Sequence, residues 1–157
     1  MTIAAGYTRV TLLGCPLDLL ERSRQHDESL LRELAFVAES DSDTSTAPAR
    51  LLSLADRLHG RLPELTAQIE EQVSAARARG DDVVDLDVTV PAGGREVAEE
   101  MSAAFAEAEQ FARSGDLLTP AESHEPGRFR TWYLEQYAHQ LDGGTPVAWP
   151  QWRRQAR

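Results

Sequence analysis

The chain has one cysteine, no lysine and few aromatic residues. A single Cys in 157 residues excludes an intrachain disulfide framework and any metal site built from several thiolates. No apolar run approaches the ~20 residues that a membrane-spanning helix needs. The opening M-T-I-A-A-G-Y-T-R lacks a basic region followed by an apolar stretch, so no secretory signal is expected and a cytoplasmic location is. All 16 basic residues are Arg, against 26 acidic ones, for a net charge of −10. Nucleic-acid binding rests largely on basic side chains meeting phosphate, so this balance argues against a nucleic-acid partner. Neither G-x-x-x-x-G-K-[ST] nor H-E-x-x-H occurs.

What is present is hydrophobic periodicity, in a length that suits one domain with a real core. Tyr7 to Leu13 reads as a strand, and Gly14-Cys15-Pro16 as the turn into a helix over about 16–39. Leu17, Leu20, Leu31, Leu34 and Ala38 form that helix's main stripe, which Arg24, Asp27 and Glu28 interrupt. Those three fit either local ion pairing or a polar patch facing a partner. A small, acidic loop at 39–46 follows. A helical stretch from Pro48 to Arg79 carries Leu51, Leu54, Leu58, Leu62, Leu65, Ile69, Val73 and Ala76 on one side, with a kink expected between Gly60 and Pro63. Val84, Leu86, Val88 and Val90 alternate with Asp85, Asp87 and Thr89, the period of a half-buried strand over 83–90. That strand is expected to pair with 7–13. A third helix spans about 94–113. Thr119-Pro120-Ala121-Glu122 matches a capping box, and a last helix runs from about Pro126 to Leu141. The resulting fold class is α+β, predominantly helical, with about four main helices on a small two- or three-stranded sheet. Residues 1–145 form the domain, and 146–157 a proline- and tryptophan-containing tail.

The aromatic residues, though few, are concentrated. Phe129, Trp132, Tyr133 and Tyr137 fall within F-R-T-W-Y-L-E-Q-Y, and their spacing covers an arc of about 140° on one helix side. Either this chain or a partner must cover that arc. Phe129 and Trp132 are expected in the core, and Tyr137 and Trp149 nearer a partner surface. Trp132, Tyr133, Tyr137, Trp149 and Trp152 are the candidate partner or ligand contacts. No catalytic residue, cofactor or metal ligand is expected. Asp56 with His59 and Glu135 with His139 are isolated pairs, where a di-iron carboxylate bundle needs two Glu-x-x-His pairs and two more carboxylates. Cys15 precedes a helix N-terminus, which could activate a thiol; a small buried residue filling a strand–helix corner is the commoner arrangement. Gly93-Gly94 precedes a helix, where free amides could meet an anion. Arg79-Gly80-Asp81 spells an adhesion tripeptide and also reads as a helix C-cap.

Four stretches carry a family resemblance: V-T-L-L-G-C-P-L-D-L-L-E-R-S-R-Q-H-D-E-S-L-L-R-E-L at 10–34, R-G-D-D-V-V-D-L-D-V-T-V-P at 79–91, F-A-R-S-G-D-L-L-T at 111–119 and F-R-T-W-Y-L-E-Q-Y at 129–137. Together they resemble a small actinobacterial family of unassigned biochemistry, typically encoded beside partner-switching regulators: anti-sigma kinases, phosphatases and their antagonists. The resemblance implies a regulatory or adaptor role in stress signalling and supplies no catalytic residues. The leading expectation is therefore a non-enzymatic protein acting through a protein partner or as a homodimer. The alternative is a small-molecule sensing domain, with a pocket between the aromatic helix and the kinked 48–79 helix. A third reading is an enzyme using Cys15 or a carboxylate–histidine pair.

Overall fold

A computed structural model describes residues 6–39, 65–113 and 124–156. Its elements in chain order are β1 (Tyr7–Pro16), α1 (Leu17–Glu39), α2 (65–78), β2 (Val83–Pro91), α3 (Gly94–Arg113), α4 (His124–Leu141) and α5 (Trp149–Gln155). The architecture is α+β and predominantly helical, as the periodicities imply. The acidic loop at 40–46, the kink at 60–63, the Asp56–His59 pair and the capping box at 119–122 lie outside the described residues.

β1 and β2 pair antiparallel, with Val10 opposite Val88 and Leu12 opposite Leu86. The alternation in β2 places Val84, Leu86, Val88 and Val90 on the buried face and leaves Asp85 and Thr89 in solvent. The strand does not stop at Leu13. It continues through Cys15, opposite Val84, to Pro16, opposite Val83. Between Leu12 and Cys15 the register shifts, so Leu13 and Gly14 oppose the single residue Asp85, a β-bulge. Gly14 takes φ +72°, and its N–H donates to Asp85 Oδ1 at 2.8 Å. The extra residue reverses the side-chain phase, which turns Cys15 inward to join Val10 and Leu12 in the core. A proline at the end of an edge strand forfeits no essential ladder bond. The chain then enters α1 at Leu17, whose N–H donates to the Asp82 carbonyl at 2.9 Å.

One core joins all the elements. Leu17 and Leu19 of α1, Ala76 of α2, Ala98 of α3, Phe129, Trp132 and Tyr137 of α4 and Trp149 of α5 pack with the inner face of the sheet. Leu65, Ile69 and Val73, on the expected side of α2, lie partly buried against it. In α1 the buried set departs from the expected stripe. Leu17 and Leu31 are covered, but so are Leu19, Ser23 and Leu30, while Leu20 is half-buried. The buried side has turned toward α4, and His26 and Asp27 lie within it.

Within the stretch expected as a tail, Trp149–Gln155 form α5. Trp149 is 2% exposed in the common core. Pro150 Cδ lies 3.0 Å from where a Cβ on Gly14 would stand. Gly14 is therefore required twice, for its backbone conformation and for the approach of α5. No helix among the described residues is long and apolar enough to cross a membrane.

Candidate functional site

Among the described residues α4 carries an aromatic cluster and a charged one. Its arc brings Phe129 to 5.3 Å from Trp132 and 6.2 Å from Tyr133. α5 then returns across it. Trp149 stands edge-on to Phe129 at 5.3 Å and to Trp132 at 5.8 Å, and stacks on Trp152 at 5.8 Å. Offset and edge-to-face geometries of this kind add about 0.5–1.5 kcal/mol per pair beyond area burial. The polar handles are met inside the chain. Trp132 Nε1 donates to the Val147 carbonyl at 2.8 Å, and Trp152 Nε1 to Glu135 Oε2 at 2.8 Å. The Tyr133 and Tyr137 hydroxyls share a hydrogen bond of 3.2 Å.

All five candidate contact residues thus meet in one cluster, and this chain covers most of it. Trp132, Tyr137 and Trp149 are buried, and Tyr133 and Trp152 are half-buried. Phe129 and Trp132 lie in the core as expected. The placement of Tyr137 and Trp149 nearer a partner surface is corrected: the arc is wide enough for α5 to close over one part and the strand–α1 corner over the other. Burial raises the Tyr137 hydroxyl pKa to about 12 despite the Tyr133 hydrogen bond. It also raises Tyr133 well above its ordinary value, with Tyr137 adding to the effect.

The charged cluster lies where α1, α3 and α4 meet. Arg130 of α4 donates to Asp27 of α1 and, at 3.1 Å, to Glu109 Oε1 of α3. Glu109 Oε1 also lies 2.6 Å from His26 Nε2. The guanidinium sits 4.8 Å above the Phe105 ring, a cation–π arrangement. Burial raises the Asp27 pKa from 3.8 to about 6; Arg130 and His26 oppose the rise and Glu109 adds to it. Burial acts to lower the Arg130 pKa, but Asp27 and Glu109 outweigh it, so the net direction is upward. The charges that interrupt the α1 stripe therefore divide. Arg24 pairs locally with Glu21 at 2.6 Å and Glu28 at 2.5 Å. Asp27 does neither thing expected of it, since it joins α4 of its own chain.

The remaining sequence candidates resolve singly. Cys15 is fully buried, and its thiol is pushed up to about 12 by burial, with Asp85 contributing. It fills the strand–helix corner, as expected of a structural cysteine. Glu135 holds Trp152, and His139 is exposed. A Cβ on Gly94 would stand 2.2 Å from Val90 Cγ1, so this glycine serves close packing at the β2–α3 corner. Arg79 and Asp81 pair with each other at 3.0 Å across a turn in which Gly80 takes φ +78°. No group of His, Cys, Asp and Glu suited to a metal ion occurs among the described residues. Of the pocket expected between α4 and the 48–79 helix, residues 48–64 lie outside the described residues. Val10, Leu12, Leu86 and Val88, on the inner face of the sheet, are fully covered.

Sequence reasoning missed Glu109 and Arg130, and also four glutamines. Gln140 and Gln136 of α4 are buried. Gln136 Oε1 accepts from the Val147 N–H at 2.9 Å and so ties down the approach to α5. Gln140, like Gln68 and Gln72 of α2, bonds to strand backbone.

No protein-family model, curated protein or solved structure matches this chain.

Proposed function

We propose that this chain is a non-enzymatic regulatory or adaptor protein. It acts by binding another protein, in bacterial stress signalling of the partner-switching kind. The observation that carries the proposal is the acidic rim at the β1–α1 corner. The Leu17 N–H to Asp82 carbonyl bond and the Gly14 N–H to Asp85 carboxylate bond draw the start of β2 against the start of α1. Asp18, Asp81, Asp82 and Asp85 are all exposed there. Among the described residues Asp82 and Asp85 form no ion pair. Such a rim supplies orientation and a fast on-rate toward a basic partner surface.

Two further observations favour binding over chemistry. The aromatic groups and Arg130 are engaged in internal contacts, and the one thiol is buried with its pKa pushed up to about 12. The family resemblance of 10–34, 79–91, 111–119 and 129–137 supports the signalling context.

The test is capture of partners from an actinobacterial lysate by the wild type and by Asp18→Asn/Asp82→Asn, at low and high salt. The proposal expects a protein whose capture weakens with added salt and with neutralisation of the rim. Capture indifferent to both would contradict it, as would turnover of a small molecule by the purified chain.

A further inference from the structure

Among the described residues the sheet has two strands, and both are edges. An open edge presents N–H and C=O groups on which another strand can add. Here side chains hold those groups at three residues, Asp87 and Thr89 of β2 and Thr11 of β1. On β2, Gln72 Oε1 accepts from the Asp87 N–H at 2.9 Å, and Gln72 Nε2 donates to the Asp87 carbonyl at 2.7 Å. One helical turn earlier, Gln68 Oε1 accepts from the Thr89 N–H at 2.9 Å, and Gln68 Nε2 donates to the Thr89 carbonyl at 3.3 Å. On β1, Gln140 Oε1 accepts from the Thr11 N–H at 2.8 Å, and Gln140 Nε2 donates to the Thr11 carbonyl at 2.7 Å.

A primary amide offers a carbonyl and an N–H side by side, the same pair that a neighbouring strand presents. The spacing fits as well. Residues four apart on a helix are displaced by about 6 Å along its axis. Residues two apart on a strand are displaced by about 6.6 Å. Gln68 and Gln72 therefore match Thr89 and Asp87 in reverse order, and α2 runs antiparallel to β2. Because Thr11 stands opposite Asp87, a single row Gln140–Thr11–Asp87–Gln72 crosses the whole sheet.

We propose that Gln68, Gln72 and Gln140 are edge guards: they hold the backbone groups through which a strand from a second copy of this chain would otherwise join the sheet. The second copy is the relevant intruder because each copy brings the same short, β-prone run V-V-D-L-D-V-T-V with an edge of its own. Loss of the amides leaves backbone donors and acceptors that either water or another strand must satisfy.

The test is sedimentation velocity and amide-I infrared spectroscopy on wild type, Gln68→Leu/Gln72→Leu and Gln68→Lys/Gln72→Lys across a wide concentration range. Leucine keeps helix propensity and removes the amide. Lysine removes the same amide but places charge on the edge, which resists pairing. The leucine variant should self-associate at least roughly tenfold more tightly than the wild type, with an intermolecular antiparallel β signature, while the lysine variant should not. If the leucine variant associates no more than the wild type, the proposal fails. Equal association of both variants also overturns it, because that would trace to destabilisation alone. Should the double variants not fold, Gln140→Leu and Gln140→Lys apply the same criteria at the other edge.

Discussion

Replacing Asp27 by asparagine should stabilise the protein at neutral pH and remove part of its pH dependence. The side chain is 24% exposed at the junction of α1, α3 and α4. Burial raises its pKa from 3.8 to about 6, against the pull of Arg130 and His26 and with the help of Glu109. A raised value means that the folded protein holds the proton more tightly than the unfolded chain does. The stability from that proton is fully present below pH 3.8 and is lost as pH rises through about 6. At pH 7 the folded protein thus carries an ionised carboxylate that burial disfavours even beside Arg130. The displacement from 3.8 to about 6 corresponds to roughly 3 kcal/mol. Asparagine keeps a carbonyl to accept from Arg130 but gives up the charge assistance, so the net gain at pH 7 should be about 1–3 kcal/mol. Urea unfolding followed by far-ultraviolet circular dichroism between pH 5 and pH 8 measures it. The advantage of Asp27→Asn should shrink as pH falls from 7 toward 5. A variant that is instead less stable at pH 7 by the ~3–5 kcal/mol typical of breaking a buried pair would refute the reasoning. It would mean that the attraction to Arg130 exceeds the penalty of burial.

Cys15, with its thiol pushed up to about 12, should resist an aromatic disulfide reagent in the native protein and react once urea unfolds it; stoichiometric native labelling would contradict its burial. Gly14→Ala should lower stability by about 1–2 kcal/mol or more in thermal melts, since the left-handed backbone disfavours a Cβ and Pro150 leaves that atom only 3.0 Å; an unchanged melt would mean that α5 does not sit where described. With a net charge of −10, gel shifts at physiological salt should show no binding to random DNA or RNA, and a steep salt-dependent association would reveal a basic surface centred on Arg153 and Arg154.

Local periodicity made the elements legible, and pairing across distance hid the rest. The alternation from Val84 to Val90 identified β2 because each side chain reports its own face. The end of β1 is hidden because Gly14-Cys15-Pro16 has the local chemistry of a turn, whereas the bulge exists only against Asp85 of the other strand. α5 is not legible in the sequence because a proline-broken segment has no period, and the slot for Trp149 is built by Phe129 and Trp132. The aromatic arc announced that it must be covered but could not say by what. Gln68 and Gln72, at helical spacing, look like an ordinary solvent face until β2 is placed beside them. Arg130 reaches Asp27 across 103 positions and Glu109 across 21; the one available hint was that Asp27 broke the apolar stripe of α1.

The aromatic face of α4 is core because α5 closes over it, and Trp149→Ala tests that most directly. The ring is 2% exposed and packs against Phe129, Trp132 and Trp152. Truncation should therefore remove about 3–5 kcal/mol of unfolding free energy, as emptying a core tryptophan site does. For a chain of this size that corresponds to a fall in Tm of roughly 6–20 °C. Urea and thermal unfolding of wild type and variant, beside sedimentation of both, supply the measurement. A loss within that range, with self-association unchanged in whatever fraction remains folded, is the predicted result. Stability within about 1 kcal/mol of wild type, together with weakened self-association or partner capture, would contradict the account and return Trp149 to an interface.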